Sequence, residues 1–290
     1  MSLTQAPRTT APAQGWAVRT SPAGEVVSRI AIRVLILFGV VFLMAPLIVI
    51  MVTSFNIAPA LDFPPKQWSL SSYENISGQI YQSFFVSVEL ALLCTAGSLL
   101  LAVTASFALV RGRLPLTRGL ETFFRAPLQV PQIVMGLALF QMFVLTQTSL
   151  GISLQAKLTG LVIAHIVLVT PYILATSVAR IATMDAELEE AALGLGARPF
   201  VIFFRVTLPV VRQALIASAV LAFLVSFDNV PLSLFLSGPG MTTLPVALFN
   251  ESESSLSSSI YAAASLTVVF SLVVTAILDR FIGLRSVLRR

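Results

Sequence analysis

Residues Met184–Pro209 read MDAELEEAALGLGARPFVIFFRVTLP, the longest charged interruption between two strongly apolar blocks of the 290-residue chain. Asp185, Glu187, Glu189 and Glu190 stand near its start, with Arg198 and Arg205 further on. Leu188, Ala191, Ala192 and Leu195 fall at i, i+3, i+4 and i+7, the spacing of one face of an α-helix. Acidic residues in the first turn suit the positive end of the helix dipole. Gly194 and Gly196 then stop the helix, since glycine takes the left-handed conformation favoured just past a C-terminus. Pro199 can open a second short helix and Pro209 a third, because proline at the first position loses no hydrogen bond. A short helix with a small-residue face, held between two breaks, has the shape to enter a socket on another protein.

The flanking blocks are membrane spans by length. Val34–Val52 is uncharged for 19 residues, enough to cross about 30 Å of hydrocarbon at about 1.5 Å per residue; Pro46 within it is a site for a kink. Leu90–Val110, Ala126–Thr146, Leu158–Ala179, Ala214–Leu236 and Ile260–Leu278 complete a set of six. Glu89 stands at the outer edge of the second, and Gln129, Pro131, Gln132 and Gln141 interrupt the third. His165 and Pro171 lie in the fourth, Asp228 and Asn229 in the outer part of the fifth. Phe55–Gln82 and Ser237–Ser259 are polar connections, the first with room for a surface helix that sets Trp68 and Tyr73 near the headgroups. Residues 1–28, rich in Pro, Ala, Thr and Ser, read as a disordered tail, followed by a six-helix transmembrane domain over 29–284 and a basic tail over 285–290.

Composition agrees. The chain is 57% hydrophobic and 11% charged, with mean hydropathy +0.92, whereas soluble domains carry about 25% charged residues. An all-α membrane protein follows. The single cysteine, Cys94, excludes an internal disulfide and reads as a small buried hydrophobe. A pI near 10.0 invites a nucleic-acid reading, but the arginines are juxtamembrane, so topology accounts for them. All 16 arginines lie in the N-terminal region, the Arg111–Arg118 turn with Arg125, the central loop and its flanks, and the C-terminal tail; the other connections hold only Lys66 and Lys157. The positive-inside rule then sets both termini and the central loop in the cytoplasm.

The central stretch resembles the EAA loop of ATP-binding-cassette (ABC) importer permeases. That loop runs Glu-Ala-Ala, three residues, Gly, nine residues, Ile, one residue, Leu-Pro; here Glu190, Ala191, Ala192, Gly196, Val206, Leu208 and Pro209 stand at those spacings, Val206 replacing isoleucine. The resemblance implies the type I importer permease fold, six transmembrane helices with a cytoplasmic coupling helix, in a bacterial inner membrane. It also implies partners: a second, related permease in a heterodimer, two ATP-binding subunits, and an extracytoplasmic solute-binding protein. Glu190, Ala191, Ala192, Leu195 and Gly196 would dock on the ATPase, and Leu208-Pro209 would join the loop to span five. A second, looser resemblance runs from Ser226-Phe227-Asp228-Asn229-Val230-Pro231 through Ser237-Gly238-Pro239-Gly240 to Thr243-Leu244-Pro245, similar to permeases of the spermidine/putrescine group. It implies a polyamine or a related small solute as cargo.

The chain carries no energy source that the sequence can identify. A P-loop needs Gly-x-x-x-x-Gly-Lys-Ser/Thr; Lys157 follows Gly151 at the right distance, but Ala156 and Leu158 replace the second glycine and the hydroxyl. ATP and Mg²⁺ are therefore expected on partner ATPase subunits, with no cofactor, metal or catalytic residue in this chain. One histidine leaves no His-x-x-x-His zinc site, and no Gly-x-Ser-x-Gly elbow is present. His165 is either a helix–helix hydrogen-bonding group or a group on a water-filled path. Asp228 is costly in hydrocarbon, about 2.5–3.5 kcal/mol at a helix centre, and is either a path residue or a helix-end group. Asn229 and Gln132 join it as candidate path residues. The competing class is a secondary transporter or channel without an ATPase, which more often shows paired broken helices; the sequence displays no evident pair.

Overall fold

The computed structural model describes residues 22–56, 63–112, 115–254 and 257–282. Helices account for its regular structure, accompanied by two isolated bridges, Asn56–Trp68 and Gly238–Met241. In order they are α1 (Pro22–Thr53), α2 (Ser71–Glu74), α3 (Gly78–Arg111), α4 (Thr117–Arg125), a 3₁₀ turn (Ala126–Leu128), α5 (Gln132–Leu150), α6 (Leu158–Ala182), α7 (Glu187–Gly194), α8 (Pro199–Ile202), a π-helical turn (Phe203–Thr207), α9 (Leu208–Phe227), α10 (Pro231–Leu236), α11 (Leu244–Ser254) and α12 (Ser258–Ile282). Six stretches are long and apolar enough to cross a membrane: α1, α3, α5, α6, the continuous helix of α8 through α9, and α12.

Two units divide at residue 48. The first holds most of α1, an uninterrupted helix through Pro46 with apolar side chains exposed from Val26 to Met44. Seven of the residues expected in the disordered tail, 22–28, belong to this helix; the rest of that tail and the basic tail at 285–290 lie outside the described residues. In the second unit, α3 packs along α6 and both pack on α9. The reason is legible on α3. Ser87, Ala91, Cys94, Ser98, Ala102 and Ser106 recur every three or four residues and are all buried, and a seam of small residues lets helix backbones approach closely where lipid supplies no hydrophobic drive. Cys94 and Ala102 share a buried cluster with Leu161, Ala164, Leu168, Val169, Ile173 and Leu174 of α6, whereas Ala91 packs with Phe227, Leu244 and Ala262. Hydroxyls tie the seam: Thr170 Oγ1 donates to Ser98 Oγ at 3.1 Å.

The remaining helices are pinned to this core by a few contacts. Ser87 Oγ accepts from Leu244 N at 2.7 Å, fixing α11 on α3. Phe84, Phe227 and Phe270 interlock α3, α9 and α12, with ring centroids 5.2 Å apart for Phe84–Phe270 and 4.9 Å for Phe227–Phe270. Tyr73 of α2 stands between Ser54 and Ser265, its hydroxyl 2.7 and 2.9 Å from theirs, while Trp68 is exposed.

Several span boundaries differ from those read off hydropathy. α3 begins at Gly78, so Glu89 is well inside a helix of 34 residues and not at its outer edge. The third span starts at Gln132, because Pro131 has no N–H to continue the ladder from the 3₁₀ turn. The expected fifth span, Ala214–Leu236, is displaced: helix runs from Pro199 to Phe227, and Pro231 starts α10 anew. Pro199 opens α8 as expected, and Pro209 stands in the first turn of α9, which continues from α8 without a break. Its ring would strike the carbonyl four residues back in a regular helix, and the chain there widens into the π-helical turn that precedes α9.

Gly160 shows how tight the core is. A Cβ there would collide with the Leu154 carbonyl oxygen and lie 3.2 Å from Phe143 Cε2. Gly160→Val is expected to cost about 1–3 kcal/mol, the usual penalty of overpacking, measured as a lowered denaturation midpoint of the purified protein in mixed micelles; an unchanged midpoint would refute the packing described.

Candidate functional site

The central stretch folds as its residues dictate. Asp185 Oδ1 accepts from Glu187 N at 3.0 Å and so satisfies one free donor at the start of α7. Glu187, Glu189 and Glu190 fill the first turn. At the other end Gly196 N bonds to Leu193 O at 2.9 Å and Ala197 N to Ala192 O at 3.1 Å, with Gly196 at φ +80°. This paired closure is a Schellman motif, and the positive φ favours glycine. Pro199 opens α8 after Arg198, whose extended backbone suits a residue before proline.

None of the residues of α7 is buried. Leu188, Glu190, Ala191 and Leu193 are exposed on it, Leu195 beyond it is 89% exposed, and Phe200 is 75% exposed. Ala192 is half-buried. Exposed leucines beside acidic residues at one end of a membrane protein form a surface shaped for a partner. Leu208 packs with Ile181, Val211 and Leu215, joining the end of the loop to the bundle, and Pro209 is exposed.

One acid of this helix faces inward, and the sequence reading did not single it out. Glu189 Oε2 lies 2.7 Å from Arg111 Nε, and its Oε1 accepts from Thr207 Oγ1 at 2.7 Å. The Arg111 contact is Coulombic more than a hydrogen bond, since the Nε–H is not aligned with an acceptor. A second guanidinium nitrogen of Arg111 donates to Ile181 O at 3.4 Å and Met184 O at 3.3 Å. No spacing rule joins Arg111 to Glu189 across two intervening spans.

The four residues expected along a substrate path separate into two groups. His165 is fully buried on α6, with Nδ1 2.8 Å from Ser226 Oγ and Nε2 3.1 Å from Ser233 Oγ. Both ring nitrogens are engaged, so in this conformation His165 ties α6 to α9 and α10. Cys94 Sγ donates to the same Ser226 Oγ at 3.1 Å, bringing in α3. Gln132 and Asn229 meet each other: Asn229 Nδ2 donates to Gln132 Oε1 at 2.8 Å, and Asn229 Oδ1 accepts from Leu232 N at 2.9 Å, capping α10. Asp228 precedes them with its side chain exposed and no partner among the described residues. Because Cys94 is midway along α3, Ser226 and the adjoining Asp228-Asn229 lie near the middle of the bundle and not at its outer end.

The breaks before Pro131 and before Pro231 are thus joined by one side-chain hydrogen bond. Neither break falls inside one of the six spans: the first precedes α5 and the second follows α9. Irregular backbone at this depth is tolerated where side chains or a cavity satisfy its polar groups, and Asn229 does so for α10.

Six apolar helices, a close-packed centre with paired breaks, and an exposed helix between spans four and five define a multi-pass membrane transport component. The chain belongs to the family described as binding-protein-dependent transport system inner membrane component, which matches residues 98–285. It is 31% identical over 236 residues to the putrescine transport system permease protein PotI of Escherichia coli K12, covering 80% of this chain and 84% of that one. It is 27% identical over 248 residues to the spermidine/putrescine transport system permease protein PotC of Haemophilus influenzae, covering 84% and 94%. In fold it superposes on a chain of a bacterial ABC transporter involved in the import of the acidic polysaccharide alginate, with TM-score 0.72 and 16% identity over 90% of this chain and 98% of that one. The fold is that of ABC importer permeases, and the chain is an inner-membrane subunit of a larger transport complex.

His165→Leu, which removes both contacts to serine, is expected to lower stability by about 1–3 kcal/mol, the range for two interhelical hydrogen bonds in a bilayer protein. Asp228→Asn, exposed and unpartnered, is expected to stay within about 0.5 kcal/mol of wild type. Reversible denaturation in mixed micelles measures both; equal midpoints for His165→Leu and wild type would contradict the tie described.

Proposed function

We propose that this chain is one of two different permeases in an ATP-driven importer of polyamines, with α7 docked on a cytoplasmic ATPase. The observation that carries the reading is α7 itself. It is a capped eight-residue helix with no buried residue, bearing exposed Leu188, Glu190, Ala191 and Leu193 and leading to exposed Leu195 and Phe200. In this reading both termini are cytoplasmic, as the arginine distribution supports. Two ATPase subunits hold ATP and Mg²⁺, and a solute-binding protein delivers cargo from the opposite side. Glu190 makes polar contacts at the rim of the ATPase socket, Ala191 and Ala192 allow close approach, and the turn at Gly196 sets the angle of the chain leaving it. Closure of the ATPases then biases the spans between inward- and outward-facing states, through the different binding energy of the two.

The polyamine assignment rests on the names of the two relatives and on Asp228. An unpartnered carboxylate near the middle of a helical bundle, flanked by the amides of Asn229 and Gln132, attracts a small organic cation. His165, with both nitrogens engaged, positions α9 and α10 without touching cargo.

Two measurements test this. Gly196→Val places a β-branched side chain at φ +80°, and Ala192→Asp adds charge to a half-buried position. Each is expected to leave the protein in the membrane while uptake falls at least about tenfold relative to ATP hydrolysed, within the usual range of coupling energies. Normal coupling in both would refute the docking role. In proteoliposomes of the full complex, ATPase activity stimulated by a putrescine- or spermidine-loaded binding protein is expected, and Asp228→Asn is expected to lose uptake while retaining assembly. Stimulation by neither polyamine would discard the cargo and leave the family assignment standing.

A further inference from the structure

α7 is attached to the rest of the bundle through few side-chain contacts, and the inward-facing one is charged. Glu189 is only 13% exposed and Arg111 only 22%, so the pair is shielded more than a surface ion pair, whose contribution is small. Around it four elements converge. Arg111 is the last residue of α3. Its guanidinium also reaches the carbonyls of Ile181 and Met184, at and just beyond the end of α6, where the helix dipole presents negative charge. Glu189 belongs to α7, and Thr207, fully buried, is the last residue of the π-helical turn leading into α9. A threonine within a helix commonly turns its hydroxyl back to a carbonyl of the preceding turn. Thr207 instead donates to Glu189 Oε1 at 2.7 Å.

The geometry points to a clasp: we propose that Arg111, Glu189 and Thr207 are positioning residues that pass movement of α7 to α3 and α9 together. The proposal rests on the docking of α7 put forward above. A helix of eight residues has little stability by itself, so its orientation comes from its attachments. With one carboxylate held at once by the end of α3 and the start of α9, α7 cannot be displaced without displacing both helices or breaking the clasp. Both helices belong to the close-packed core, and Phe107 of α3 meets Phe203 of the π-helical turn edge-on at 5.3 Å, a second link in the same place. Glu190, the next residue, is exposed. Adjacent carboxylates thus divide the work, one facing the partner and one facing the membrane helices.

The test uses the complete transporter in proteoliposomes, with Arg111→Gln, Glu189→Gln, the double variant, and the pair Thr207→Val and Thr207→Ser. Two quantities are read: ATPase recovered with the tagged chain, and solute imported per ATP hydrolysed. Recovery is expected to equal wild type in every variant. Import per ATP is expected to fall about tenfold or more in Arg111→Gln, Glu189→Gln and Thr207→Val, within the usual range of coupling energies. The double variant is expected to be no worse than the poorer single, since residues acting through each other are non-additive, and Thr207→Ser, which keeps the hydroxyl, is expected to remain coupled. Import per ATP within about twofold of wild type in Glu189→Gln, or strictly multiplicative losses in the double variant, would overturn the clasp. Loss of ATPase recovery in Glu189→Gln would overturn it as well, making Glu189 a docking contact. Absence of ATPase from the wild-type preparation would instead overturn the docking of α7, and the clasp with it. Should Glu189→Gln itself not accumulate in the membrane, the contrast between Thr207→Val and Thr207→Ser decides: equal coupling in the two overturns the proposal.

Discussion

Close approach of α3 to α6 is the interaction on which the rest of this structure depends. In hydrocarbon two apolar helices gain nothing from leaving solvent, because lipid tails are as apolar as leucine. Association must come from packing density and from polar groups that find partners. Cys94, Ser98 and Ala102 on α3 provide the first. Thr170 with Ser98 provides the second, and His165 with Ser226 and Ser233 extends the same core to α9 and α10. α9 is then positioned by a core already assembled, and the short outer helices attach to it through single contacts such as Ser87 to the Leu244 amide.

That arrangement divides the molecule into a packed centre and a sparsely attached end. Near the centre, two chain breaks are held by the bond between Asn229 and Gln132, so an irregular backbone persists without leaving polar groups unsatisfied. Asp228 stands beside them without a partner among the described residues. At the end, α7 projects with little of its surface covered, anchored by Glu189. A transporter that switches between two states needs regions of both kinds. Rigid helices carry displacement, and a weakly anchored element receives it.

The readable and unreadable parts of this chain follow from what each depends on. Six spans were legible because hydropathy is summed over about twenty residues, and the central loop because its motif has fixed spacing. The boundaries were less so. Glu89 appeared to mark a helix edge, yet α3 starts at Gly78, since an exposed charge within a helix is tolerated and does not end it. Ala214–Leu236 read as one span because an apolar run hides a break. Pro231 stops the ladder regardless of hydropathy, whereas Pro209, in the first turn of α9, follows a π-helical turn without breaking the helix. His165 carried two readings in sequence, and the two serine hydroxyls beside it select the structural one for this conformation.

The amino-acid sequence by itself determined the class: six apolar segments, a side rich in arginine, and a capped short helix between spans four and five with its glycine turn. These are properties of contiguous sequence and composition, from one or two turns for the cap to about twenty residues for a span. Only the tertiary structure decided that Glu189 turns inward and Glu190 outward, that the breaks before Pro131 and Pro231 meet, and that Arg111 reaches across to α7. Those contacts join residues separated by whole membrane spans. Nothing in a helical period or a motif spacing specifies which distant face a side chain will meet; the packing of α3 against α6 and α9 does.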